Sequence, residues 1–181
     1  MTADEFRRIG YDQILVGART AGERTAITEE CWMKNYTLYH SSSLRTGRFS
    51  EPGRAYVITT VCRDRHPFFD DFYNARVLIK VLRTSDFLGR TRTFCFVVMP
   101  DHLHWMFTLG NQSGLSETVH SIKSISSRRI ATRIWQKGFY DHAVRDESDI
   151  KPLARYIVAN PLRSGIVHSL RDYSHWDAAW I

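Results

Sequence analysis

The sequence predicts an α+β fold of the ferredoxin-like kind, in which helices pack on one face of a central antiparallel β-sheet. Three observations lead to this prediction. The spacing of apolar residues changes along the chain in the order strand, helix, strand, strand, helix, strand, helix. Two of the strands are separated only by Pro100 and Asp101. In the second of these strands, residues 102–109, every other side chain is apolar, so one face of the strand is fully apolar. No internal repeat or low-complexity tract suggests another architecture.

The individual elements follow from local pattern. Residues 55–62, AYVITTVC, are rich in β-branched and aromatic side chains and predict the first strand. Residues 71–88 predict a helix that ends near Gly89, because their apolar side chains recur every three or four positions. The members of that apolar face are Phe72, Ala75, Ile79 and Leu82.

The second half of the pattern continues in the same way. We expect strands at 92–99, 102–109 and about 142–145, and helices at 115–134 and 150–160. The last helix starts after two candidate caps, Ser148 and Asp149. The aromatic tail, residues 170–181, is expected to fold back against the domain.

Length and composition predict one domain. A chain of 181 residues with 43% hydrophobic content suits one sizeable core. We expect an N-terminal extension over residues 1–35 and the domain over 36–181; a start codon wrongly assigned upstream of Met33 explains the extension equally well. No apolar run approaches the roughly 20 residues of a spanning helix, and no secretory signal is recognisable, so we expect a cytoplasmic protein without a membrane partner.

The charge of the chain favours a polyanionic partner. The net charge is +6 and the isoelectric point is near 9.4. An irregular basic segment over residues 40–54 and the polar side of the second helix supply cations that could follow a phosphate backbone, although solvated surface charge is the alternative for each. The candidate DNA contacts are Arg45, Arg48, Arg54, Lys123, Arg128 and Arg129.

A pair of histidines on the alternating strand suggests a metal site. Leu103, Trp105 and Phe107 share one apolar face, so His102 and His104 point to the other. Two imidazoles roughly 7 Å apart at the backbone can converge on one ion. The pair alone is a weak motif, because two surface or hydrogen-bonded histidines give the same pattern.

The third helix offers a nucleophile and a further ligand. Tyr156 and Asn160 are four residues apart and share a side of the helix. A tyrosine oxygen that attacks phosphorus stores the bond energy in a phosphotyrosine for later rejoining. A divalent cation, Mg²⁺ or Mn²⁺, would polarise the phosphate. The alternative for Tyr156 is a core tyrosine, and the alternative for Asn160 is an ordinary helix-ending residue. His142 is an auxiliary candidate, for which the alternative is a structural hydrogen-bonding role.

Four sequence blocks together resemble the REP-associated tyrosine transposases, relatives of the single-tyrosine insertion-sequence transposases in the HUH superfamily of single-strand endonucleases. The resemblance runs from about Tyr39 to Trp180. Its blocks are SLRTGRFSEPGRAYVITT, VVMPDHLHWMF, IWQKGFYDHAVRDESD and YIVANPLRSGIV.

The resemblance implies an HUH endonuclease-type fold and a role for each site residue. His102 and His104 would bind the metal, Asn160 would complete its site, and Tyr156 would be the nucleophile. The substrate would be a single-stranded REP hairpin, cut and joined through a 5′-phosphotyrosine by a nucleoid-associated monomer or homodimer. A catalytically idle hairpin-binding protein and a phosphodiesterase that uses water are the competing hypotheses.

Overall fold

An antiparallel sheet of five strands organises residues 50–179, the part of the chain that the computed structural model describes. The strand order is β4-β1-β3-β2-β5. The strands are Ala55–Val61 (β1), Thr91–Met99 (β2), His102–Leu109 (β3), Tyr140–Ala143 (β4) and Trp176–Ala178 (β5). The helices are Phe72–Phe87 (α1), Leu115–Arg129 (α2), Ile150–Val158 (α3) and Asn160–Arg163 (α4). Within these residues no helix is both long enough and apolar enough to cross a membrane.

The topology confirms the predicted fold class. The first four strands have the order β4-β1-β3-β2, and α1 and α2 provide the two crossover connections, which is the ferredoxin-like arrangement. β5 is a further strand that pairs antiparallel with β2. It comes from the aromatic tail, so the prediction that the tail folds back is confirmed as far as residue 179. The predicted extension over residues 1–35 and its boundary lie outside the described residues.

The main core lies between the sheet and the first two helices. Trp105 and Phe107 of β3 are almost fully buried, and their rings stack with centroids 3.8 Å apart. Leu78 of α1 and Val119 of α2 are buried in the same cluster. The apolar face of β3 predicted from alternation is therefore confirmed as the floor of the core.

The third helix contradicts the expectation that all helices lie on one face. α3 covers the opposite face of the sheet, where the Cys95 Sγ of β2 lies 4.0 Å from the Ala154 carbonyl oxygen. β2 is apolar on both faces, since Phe96 and Val98 belong to the core beneath α1 and α2, whereas Cys95 contacts α3. A strand buried on both sides requires a covering layer on each.

Helix α2 is shorter than predicted, and one residue of α1 is exposed where burial was predicted. α2 ends at Arg129 rather than continuing to residue 134, because the chain reverses at Ala131 with a φ of 58°. The following residues then contact the end of β1: the Arg63 amide donates to the Ile134 carbonyl at 2.7 Å. In α1, Phe72 is 61% exposed although its spacing predicted burial, while Ala75, Ile79 and Leu82 are buried as expected.

Two positions on α1 provide a test of the core. We expect Leu78→Ala to lower the free energy of unfolding by about 2–5 kcal/mol, because Leu78 is fully buried and its truncation leaves a cavity. Phe87→Ala, on the same helix but 90% exposed, should change it by less than about 0.5 kcal/mol. Urea denaturation followed by circular dichroism measures both. Equal losses for the two variants would contradict this placement of α1.

Candidate active site

The two histidines of β3 lie side by side on the face that α3 covers. Their rings are 4.7 Å apart between centroids and nearly perpendicular, and the two Nε2 atoms are 3.1 Å apart. Alternation along the strand sends Leu103 between them into the core, which is why both imidazoles share one side. The structure thus brings His102 and His104 together as the sequence predicted.

The other ring nitrogen of each histidine has its own partner. The Nδ1 of His104 lies 2.8 Å from the Thr59 hydroxyl on β1, the residue directly opposite it in the sheet. The Nδ1 of His102 donates to the Asp101 carboxylate, because an ionised carboxylate can only accept. Each ring is therefore oriented with its Nε2 toward the space between the two histidines.

Burial keeps both histidines neutral. It lowers the pKa of His104 to about 3, and it lowers the pKa of His102 as well, although the Asp101 carboxylate opposes the second shift. Burial would raise the pKa of Asp101, but hydrogen bonds and charge from His102 and Arg65 outweigh it and hold that pKa below its usual range. A neutral imidazole with a free Nε2 lone pair is the form that binds metal ions.

The geometry of the pair fits a divalent cation. Two ligands at neighbouring corners of an octahedron, each ~2.1 Å from the ion, lie ~3.0 Å apart, close to the 3.1 Å between the Nε2 atoms. Residues 50–179 contain no cluster of three or more histidine, cysteine or acidic side chains that could complete such a site. Any remaining ligands must come from other groups, such as an amide oxygen, water or a substrate phosphate.

Tyr156 and Asn160 lie on the helical segment that covers the histidine face. Tyr156 is partly exposed, burial raises its pKa, and the Arg163 guanidinium lies 3.8 Å from the centre of its ring. The Asn160 side-chain nitrogen donates to the Ile157 carbonyl at 2.9 Å. No hydrogen bond in residues 50–179 joins either side chain to the histidine pair, so their convergence on one cation stays a prediction.

The candidate DNA contacts have different surroundings. Arg54 forms an ion pair with Glu51 at 2.7 Å and lines an open cavity of about 510 Å³. Lys123 donates to two backbone carbonyls of the loop after α2, those of Gln136 and Gly138, and burial lowers its pKa to about 8. Arg128 and Arg129 are exposed on the last turn of α2. Arg45 and Arg48 lie outside the described residues.

Several residues of the site were missed at the level of sequence. Thr59, Asp101 and Arg65 contact the histidines or one another. Tyr140 of β4 lies opposite Thr59, which lies opposite His104, so all three side chains share one row on the histidine face. His142, the auxiliary candidate, lies two residues further along β4 and opposite Val57 on the same face. Thr59 is one of two adjacent threonines in an otherwise apolar strand, and the sequence alone does not show which of them faces the histidines.

Comparisons with known proteins identify the family of this chain. The model of the family described as "Transposase IS200 like" matches residues 53–160. A REP-associated tyrosine transposase of Escherichia coli (strain K12) is 31% identical over 98 residues, which are 53% of this chain and 57% of that protein. The chain thus spans little more than half the length of this curated relative.

A solved structure supports the same assignment at the level of the fold. It shows a REP-associated tyrosine transposase bound to a REP hairpin, with 26% sequence identity and a TM-score of 0.60. The similarity covers 71% of this chain and 79% of that one. The family model covers more than half of the chain and includes both histidines, Tyr156 and Asn160. The resemblance seen in the sequence is thereby confirmed, and the chain belongs to the IS200-like transposase family, among the relatives of REP-associated tyrosine transposases.

Proposed function

We propose that this protein binds single-stranded DNA hairpins and cuts and rejoins them with the help of a divalent cation, through a covalent 5′-phosphotyrosine at Tyr156. The observation that carries the proposal is the histidine pair, whose Nε2 atoms lie 3.1 Å apart while both Nδ1 atoms are engaged elsewhere. Without metal, one Nε2–H donates to the other Nε2 across this contact, and a cation that binds between the two rings would displace that proton.

His102 and His104 would hold the cation, Mg²⁺ or Mn²⁺, with Asn160 contributing its amide oxygen. The asparagine hydrogen bond to the Ile157 carbonyl uses the side-chain nitrogen, which orients the oxygen away from that contact. When bound, the cation polarises the scissile phosphate and neutralises charge that develops on it. Two nitrogen ligands favour Mn²⁺ over Mg²⁺ in vitro.

Tyr156 would supply the nucleophile. Its oxygen attacks phosphorus, the bond from phosphorus to the 3′ oxygen breaks, and the departing strand leaves with a 3′ hydroxyl. The phenol is protonated at neutral pH, and burial raises its pKa further, so its proton leaves as the oxygen attacks and the departing 3′ oxygen takes up a proton. The Arg163 guanidinium packs on the ring, 3.8 Å from its centre, and helps to hold the ring in place. The reverse reaction rejoins the strands without a nucleotide cofactor.

A covalent adduct tests this assignment. With a labelled single-stranded REP hairpin and Mn²⁺, we expect the protein to form an adduct that survives denaturant, and Tyr156→Phe to reduce its formation by at least ~10³-fold. Tyr73→Phe, at an exposed position on α1, should leave the adduct unchanged. Denaturing gel electrophoresis of the labelled DNA measures all three proteins.

Other outcomes of that experiment would contradict the proposal in distinct ways. Loss of the adduct in Tyr140→Phe but not in Tyr156→Phe would transfer the nucleophile to β4. Cleavage that persists in Tyr156→Phe would favour a phosphodiesterase that uses water. Hairpin binding without any cleavage, across the divalent metals, would favour the catalytically idle hairpin-binding protein.

Direct metal binding tests the histidine pair. We expect His102→Ala and His104→Ala each to weaken Mn²⁺ binding by more than the ~10–100-fold that loss of an outer-shell partner typically costs. His120→Ala, at an exposed position on α2, is the matched control and should bind Mn²⁺ as the native protein does. Calorimetric titration and electron paramagnetic resonance of Mn²⁺ provide the readout. Unchanged affinity in both strand variants would place the cation elsewhere.

The salt dependence of hairpin binding tests the basic end of α2. Replacing both Arg128 and Arg129 by Gln should reduce the slope of log K against log salt by about 1.4–1.8, since each lost phosphate contact removes about 0.7 on a single strand and about 0.9 on the duplex stem of a hairpin. Replacing Arg76 and Lys80 of α1 by Gln removes the same charge from another helix and should leave the slope nearly unchanged. Equal effects of the two double variants would indicate general electrostatic attraction instead of a contact.

A further inference from the structure

The carboxylate of Asp101 is shared between a histidine and an arginine. Asp101 lies in the two-residue turn between β2 and β3, immediately before His102. Its Oδ1 accepts the hydrogen bond from His102 Nδ1, and its Oδ2 accepts one from Arg65 Nη1 at 3.0 Å. Its backbone carbonyl also accepts from the Cys62 amide at 2.7 Å, which ties the turn to the end of β1. Both carboxylate oxygens therefore have a defined partner.

The turn that carries Arg65 has a left-handed backbone conformation. Asp64 and Arg65 follow β1 with φ values of 55° and 51°, a left-handed conformation that is costly for residues with a Cβ atom. The turn is held by the Arg65 amide, which donates to the Cys62 carbonyl at 3.2 Å, and by the His66 amide, which donates to the Arg63 carbonyl at 3.1 Å. Backbone of this kind persists where the surrounding structure requires it, and it often lies at functional sites.

The two histidines are held in different ways. The Thr59 hydroxyl beside His104 can either donate or accept, so it is compatible with both neutral forms of that ring. The Asp101 carboxylate can only accept, so it admits only the form of His102 that carries its proton on Nδ1. The lone pair of His102 is consequently fixed on Nε2, the atom that faces His104.

We propose that Asp101 and Arg65 are positioning residues for the cation site: Asp101 fixes the ring form and orientation of His102, and Arg65 holds the Asp101 carboxylate in place. The proposal rests on the proposed function of the histidine pair. An exposed ion pair alone would carry little weight, and the Arg65 side chain is 60% exposed. The Asp101 side chain is only 21% exposed and the His102 side chain 18%, so the arginine acts on a largely buried unit.

Isosteric substitutions test this pair. We expect Asp101→Asn to weaken Mn²⁺ binding ~10–100-fold, the usual effect of removing the partner of a metal-bound histidine. Arg65→Gln should weaken it less in the native background and not at all in the Asp101→Asn background, because Arg65 acts only through Asp101. Arg63→Gln is the matched control, since Arg63 lies in the same turn and contacts Asp64 at 3.6 Å. It should bind Mn²⁺ as the native protein does.

The ring form of His102 can be measured without metal, which separates this proposal from the proposed function. In ¹⁵N nuclear magnetic resonance of the metal-free protein, we expect His102 to carry its proton on Nδ1, and Asp101→Asn to yield a mixture of the two forms. If the native protein binds no Mn²⁺ but shows this change, the proposed function fails, whereas the control of the His102 ring form by Asp101 stands. If His102 keeps its Nδ1 proton in Asp101→Asn, or if Arg65→Gln weakens Mn²⁺ binding equally in both backgrounds, the positioning role is wrong.

Discussion

The register of β3 between its two neighbours is the constraint on which the rest of the molecule depends. Because successive side chains of a strand point to opposite faces, one pairing register places Trp105 in the core and His104 on the other face. The indole of Trp105 is fixed twice, by stacking on Phe107 and by the hydrogen bond that its Nε1 donates to the Thr93 hydroxyl at 2.9 Å. A slip by one residue would turn the imidazoles toward the main core and the indole toward the face that α3 covers. The register that packs the core therefore also sets the orientation of the two histidines.

Much of the fold could be predicted from sequence because its elements are locally encoded. β3 has the predicted bounds, and α1 ends before Gly89, whose φ of 69° suits a residue without a side chain. The end of α2 could not be predicted, because it depends on distant contacts. Trp135 donates to the Ser126 hydroxyl at 2.9 Å and pairs with Cys62 at the end of β1, so the chain leaves the helix early to reach these partners.

The sequence contains a signal from which the position of α3 on the second face of the sheet could have been predicted. The run FCFVVM within β2 is continuously apolar, which is typical of a strand with both faces covered. The alternating apolar face of β3 drew attention to one side of the sheet only. The exposure of Phe72 had no such signal, because helical spacing does not reveal that its ring lies against His175 of the tail, 5.5 Å apart between centroids, while the ring stays 61% exposed.

Some residues of the candidate site could be predicted from local sequence, and others could not. Spacing along one strand sufficed for His102 and His104, whereas Thr59 lies 45 positions before its partner and Arg65 lies 36 before Asp101. Contacts between strands depend on register, and register follows from the whole sheet. Asp101 is the exception, since a charged residue in a tight turn next to a candidate ligand is visible in the sequence.

The tail has a consequence for how the protein behaves in solution. β2 carries apolar side chains on both faces. Without β5 it would be an edge strand with unpaired backbone N–H and C=O groups, to which a strand of another molecule could bind. β5 covers part of that edge, since three residues of Trp176–Ala178 pair with Cys95–Val97. The Tyr173 hydroxyl also donates a hydrogen bond to the Val98 carbonyl at 2.6 Å, which holds the tail against β2. The last strand therefore keeps the β2 edge from pairing with a strand of another molecule, and we expect this segment, which is remote from the histidines in sequence, to limit aggregation.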